Sequence, residues 1–189
     1  LYKIKNFKIN LRNRDILRVL KRLSGVSEMP AEVEENVQRA CFRYGKFITP
    51  ATLYQTFTRD FSGLDFDLSA APAKWVAQSY YIVTIGTALD SEFKKNETAF
   101  GAQTAQIVSA IAVDALEQSK NFVGRLLTKE AANEKCEVSR PQEFPPEVFV
   151  KAATLLESTK IGVEISENII KPQYSSCGVF YWVPLKKRR

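Results

Sequence analysis

Most proton-transfer sites rest on a side chain that titrates near neutral pH, and the commonest of these is missing: the sequence holds no histidine. That excludes a Ser-His-Asp triad, a Cys-His pair and any histidine-built metal site. Acid–base work would fall to Asp, Glu, Lys, Tyr or Cys. The three cysteines, Cys41, Cys136 and Cys177, are widely spaced and form no C-x-x-C pair. Such a set argues against a disulfide framework and a structural zinc site, and for small apolar thiols in a core. Asp65 and Asp67 stand close together, but two carboxylates are too few to hold a hard cation, and they read as a solvated loop. There is no P-loop, no G-x-G-x-x-G, no G-x-S-x-G and no kinase signature.

The formal net charge is +6, of which Lys186, Lys187, Arg188 and Arg189 supply four, so the body carries +2. A near-neutral body does not call for a nucleic-acid face, and a short basic tail is ordinarily solvated. No apolar run reaches the ~18–20 residues of a membrane span. Residues 1–10 lack the apolar middle of a secretory signal, so a cytoplasmic location is expected.

The elements that must position any site follow from a periodicity that alternates between two and 3.6. LYKIKNFKIN (1–10) alternates apolar with Lys or Asn, as a half-exposed strand does. From Asn13 to Leu23 the residues Ile16, Leu17, Leu20 and Leu23 share a helical face, with Asn13 as the cap and Ser24-Gly25 as the stop. Pro30 opens a second helix with an acidic first turn, carrying Val33, Val37, Ala40, Cys41 and Tyr44 and ending at Gly45. ATLYQTFTRD (51–60) reads as a strand and 61–72 as a loop. A short helix around Ala73 to Gln78 leads into YYIVTIG (80–86), a buried central strand. Thr87 caps a further short helix to about Lys95.

Between Ala99 and Lys135 there is no proline, and the composition predicts one long helix or two abutting ones, loosened at Gly124. Its small residues Ala102, Ala105, Ser109, Ala110 and Ala112 allow close approach to a sheet. CEVSR (136–140) is strand-compatible and Pro141–Pro146 is a loop. A helix then carries Val148, Phe149, Ala152, Leu155 and Leu156. IGVEI, NIIK and CGVFYWV read as strands, separated by a turn at Ser166-Glu167-Asn168 and a link from Pro172 to Ser176. Tyr80, Tyr81, Phe180 and Trp182 are expected in the core. Together these make a single α/β (α+β) domain over 1–189, with a mainly antiparallel, helix-covered sheet and a basic tail at 186–189.

Four segments in this order carry a resemblance. INLRNRDILRVLKRLSG near the start, YYIVTIGTALDSEF in the middle, the helix 106–118 with AVDAL, and KIGVEISENIIKPQYSSCGVF near the end are similar to the activation (reactivation) domain of cobalamin-dependent methionine synthase. The resemblance implies a curved, mainly antiparallel sheet under helices, and a task in methionine biosynthesis. Such a domain binds S-adenosylmethionine and caps a corrinoid so that cob(II)alamin, reduced by a flavodoxin-like donor, is remethylated. By that resemblance the chain is an accessory protein of a cobalamin-dependent methyltransferase system, at most a component of an enzyme. Its partner would be a corrinoid protein or a methionine synthase lacking its own activation domain. Cobalamin would be reached only through that partner, with no nucleic acid and no membrane involved. The alternative is a non-catalytic module that binds the corrinoid protein without S-adenosylmethionine.

The resemblance also assigns ligand residues. Arg140 matches the arginine of an Arg-x-x-x-Gly-Tyr loop that pairs with the methionyl carboxylate. Asp114 takes the acidic position on the small-residue helix and would meet the amino group. Tyr174 and Ser175, with Ser176, lie in the link before the last strand. The loop itself departs from the pattern: it reads Arg140-Pro141-Gln142-Glu143-Phe144-Pro145, with Phe144 and Pro145 where Gly and Tyr would stand. Phe144 adds a ring where close backbone approach is needed. Pro145 removes a backbone N–H and the phenol. Glu143 adds an acid able to neutralise Arg140.

Overall fold

The computed structural model describes residues 1–61, 71–95, 101–166 and 169–185. Asp65, Asp67, most of the expected turn at 166–168 and the basic tail at 186–189 lie outside the described residues. The main sheet is curled and antiparallel at every pairing, built from strands β1 (Tyr2–Lys5), β2 (Ala51–Thr58), β3 (Ala77–Thr84), β4 (Cys136–Val138), β5 (Gln142–Glu143) and β8 (Ser175–Pro184). Its order is β1-β2-β3-β8-β4, with β5 sharing the outer edge of β8 beside β4. A separate hairpin joins β6 (Glu164–Ser166) to β7 (Ile169–Lys171). The helices are α1 (Asn13–Ser24), α2 (Ala31–Tyr44), α3 (Ala88–Lys95), α4 (Ala102–Asn133) and α5 (Pro146–Leu155).

Period-two alternation in β3 and β8 sorts their side chains onto two covered faces, which is why both strands are apolar nearly throughout. Tyr80, Ile82, Cys177, Val179 and Tyr181 face α5 and pack with Val148, Phe149, Ala152 and Leu156. Tyr81, Val83, Phe180 and Trp182 face α4 and pack with Val123, Leu127 and Ala131. A further cluster joins α1 and α2 to the first half of α4 through Ile16, Val19, Leu20, Val37, Ile111 and Ala115. All four aromatics expected in the core are buried.

Several expectations are corrected. Asn13 does not cap α1: it is the first helical residue, and Arg12 is the N-cap, making no side-chain capping bond. The stop is as expected, with Gly25 at φ 70° and its N–H bonded to Lys21 O, a left-handed conformation that glycine takes without steric cost. No helix covers 73–78; that stretch turns and then extends into β3, because Ala77 onward registers against β2 and β8. The long segment is one helix of 32 residues, unbroken at Gly124, where the Phe180 ring lies close enough to contact any added Cβ. Ala110, Ala112 and Ala115 belong to the cluster with α1 and α2, so the small residues serve mainly helix–helix contact. Within the expected loop 141–146, Gln142 and Glu143 form a strand on β8. No helix among the described residues is long and apolar enough to cross a membrane.

Candidate functional site

Arg140 owes its position to an interrupted ladder. Ser139 donates its N–H to Tyr181 O, while the Ser139 hydroxyl accepts the Tyr181 N–H at 3.0 Å and donates to Arg140 O at 2.8 Å. A side-chain oxygen thus replaces a backbone carbonyl in the pairing, and the chain bulges outward between β4 and β5. Arg140 is exposed at that bulge and makes no ion pair among the described residues. Two residues on, the backbone is drawn in again. Gln142 and Glu143 pair with Val179 and Gly178, and the Phe144 N–H bonds Cys177 O at 3.0 Å.

Glu143 does not pair with Arg140. Its carboxylate takes Lys120 of α4 at 2.5 Å, closing the space between the helix and β5. Sequence reasoning passed over Lys120, although a lysine on the otherwise apolar stripe Leu116, Val123, Leu127 was a legible signal. Beneath this pair, Tyr81 Oη and Ser176 Oγ are buried and make no well-formed hydrogen bond among the described residues. Burial, and after it the charge of Glu143, raises the Tyr81 phenol above its ordinary range, so it stays protonated at neutral pH.

Tyr174 and Ser175 sit at the other end of β8. The Tyr174 hydroxyl reaches Ser109 of α4 at 3.2 Å. Ser175 Oγ donates to Thr84 Oγ1 at 3.0 Å and is also 2.8 Å from Pro172 O. The preceding link is held by Asp90 of α3, whose carboxylate accepts the Gln173 N–H at 2.7 Å. Ser176 lies one residue further, on the face turned to α4.

Asp114 lies elsewhere again. It is 4% exposed, and it accepts a hydrogen bond from Gln118 at 2.7 Å, Gln118 in turn clamping both the N–H and the carbonyl of Asn10. Burial raises its carboxyl pKa, the Gln118 bond lowers it, and Asp15 and Glu117 reinforce the rise. It lines a polar pocket of about 220 Å³ with Arg12, Arg18, Gln118 and Asn121. The nearby Cys41 thiol is pushed up to about 11 by burial and by the Asp114 charge; Cys136 and Cys177 are buried, and all three are free thiols.

The five residues assigned by resemblance therefore fall into three places. Arg140 precedes β5 and Glu143 lies in it, Tyr174 reaches the first half of α4 with Ser175 next to it on Thr84, and Asp114 faces α1. Ser175 and the Ser139–Tyr181 junction are six strand residues apart, ~20 Å at 3.3–3.4 Å each. Ser109 and Lys120 give a similar figure along α4, ~16 Å at 1.5 Å per residue. Asp114 is rotated ~140° from Ser109 at 100° per residue, on another face of the helix. A cleft of about 620 Å³ beside Thr154, Glu157, Ser158, Thr159 and Glu164 includes none of the five.

No protein-family model matches the sequence, and no curated protein does. Structure is more informative. A crystal structure described as the MetH reactivation domain bound to AdoHcy superposes with a TM-score of 0.60 at 12% identity, covering 100% of this chain and 81% of that one. The chain has the fold of the MetH reactivation domain. At that identity the likeness establishes architecture, and the site has to be judged on its own residues.

Judged so, the loop fits S-adenosylmethionine at one position and not at the others. Arg140 is exposed and free to receive a carboxylate. Phe144 is buried against Tyr80, ring to ring at 5.5 Å in an edge-on arrangement. Pro145 and Pro146 start α5 and offer no backbone N–H. A Cβ on Gly178 would collide with Gln142 O, so β5 and β8 leave no gap for a ligand between them. The loop that resembles a ligand loop is here part of the sheet and core.

Proposed function

We propose that this chain is a cytoplasmic accessory protein of a cobalamin-dependent methyltransferase system, acting by docking as a cap on a corrinoid protein. The supporting observation is its likeness, along its full length, to the MetH reactivation domain. Capping is a task of shape and water exclusion, and it demands neither a titrating side chain near pH 7 nor an enclosed ligand cavity. The absence of histidine is compatible with it. The burial of Phe144 and the Lys120–Glu143 pair favour this reading over delivery of S-adenosylmethionine through the 140–145 loop.

A second reading rests on Arg140. An exposed arginine without an ion-pair partner among the described residues is suited to clamp a carboxylate. In that case the protein would also bind S-adenosylmethionine and support reductive remethylation, with a flavodoxin-like protein supplying the electron. Adding the chain to a methionine synthase deprived of its own activation domain separates the readings. Binding without recovery from the cob(II)alamin state supports the cap. Recovery that requires S-adenosylmethionine and is lost in Arg140→Ala supports the second reading. Absence of binding refutes both.

A further inference from the structure

The modest net charge of the body conceals a strong segregation. Residues 1–25 carry eight lysines and arginines against one acid, Asp15, whereas residues 26–185 carry fifteen against twenty. The first segment is β1, α1 and the connection between them. It lies along α4, with Phe7 stacked on Phe122 at 4.2 Å, Gln118 holding Asn10 and Arg22 paired with Glu117 at 2.7 Å. Outside the tail, the surplus positive charge is thus carried by the segment that lies along α4.

Helix stability does not explain its arrangement. Arg12 is the N-cap of α1 and Arg14 lies in its first turn, at the positive end of the helix dipole, where basic side chains are unfavourable. Lys21 and Arg22 suit the other end. Arg14, Arg18 and Lys21 follow i, i+4, i+7 spacing and form one outward stripe, with Arg14 and Arg18 more than 70% exposed and each 3.8 Å from Asp15, so that the three cations have one acid among them. Asp15, within the stripe, and Glu117, beside it, would repel a phosphate backbone.

We propose that the outward face of α1, centred on Arg14, Arg18 and Lys21, is a docking surface for an acidic face of a protein partner. It stands independently of the corrinoid reading, since it rests on charge placement alone. The test is binding of the intact chain to immobilised poly-L-glutamate, compared with duplex DNA of matched charge. Three variants accompany it: Arg14→Glu/Arg18→Glu/Lys21→Glu, a control of equal charge change, Lys94→Glu/Lys95→Glu/Lys151→Glu, and a chain lacking 186–189. The expected result is salt-sensitive binding to polyglutamate in preference to DNA, weakened at least ~tenfold in the α1 variant and little changed in the other two. The α1 substitutions are all exposed, so thermal unfolding should confirm a folded variant. Equal weakening in the control, loss on removing the tail, or preference for DNA would each overturn the proposal.

Discussion

Phe144 and Arg140 are neighbours in one loop and differ in what their replacement should do. Phe144 is buried among Tyr80, Val148 and Phe149, so Phe144→Ala leaves a cavity and should cost ~3–5 kcal/mol in urea unfolding. Arg140 is exposed and unpaired among the described residues, so Arg140→Ala should change stability by less than ~0.5 kcal/mol. A large loss at Arg140 would mean that it is structural and would remove its candidacy as a clamp. Asp114 is a third case. Its folded pKa is raised from 3.8, so the folded state holds the proton more tightly than the unfolded one. The stability this contributes is complete below 3.8 and is lost as pH rises through the folded value. Asp114→Asn stays neutral and can still accept from Gln118. Its stability relative to the parent should therefore increase from acid pH to neutrality, as read from urea midpoints across that range.

At the scale of elements, the outer edge of β8 decides what the 140–145 loop can do. Gly178 is needed where β5 and the Tyr81 hydroxyl close on the strand, the hydroxyl lying 2.8 Å from the position a Cβ would take. Gly178→Ala should cost about 2 kcal/mol through overpacking. It should also speed hydrogen exchange at the Phe144 N–H, whose acceptor is Cys177 O. Unchanged exchange there would show that β5 is not held by this contact. Most of the element order was legible, because α1, α2, α4, β2, β3 and β8 each bury a regular apolar period. What was not legible lies where a period of two or three residues carries no information. β5 is two residues long, and its pairing depends on Ser139 standing in for a backbone carbonyl. The stretch 73–78 reads as helix in the sequence, and registry of β3 with two strands decides otherwise.

At the scale of the whole molecule, the positions assigned by resemblance are not gathered into one site. Order along the sequence carries topology; it does not say that Asp114 turns toward α1 and Ser109 toward Tyr174. The same limit hid the charge segregation, since a net charge is blind to where charges fold. What the molecule offers as a whole is a helix-covered sheet with the fold of a reactivation domain, and a surface suited to docking. The proposed role of this fold is to cap a corrinoid protein. Its most direct test is sedimentation of the fluorescently labelled chain with a cobalamin-loaded corrinoid protein from a methyltransferase system, beside the same protein without cobalamin. The account predicts a stoichiometric complex with the loaded protein. Independent sedimentation of the two at concentrations of tens of micromolar, ~−6 to −7 kcal/mol of association free energy, would contradict it.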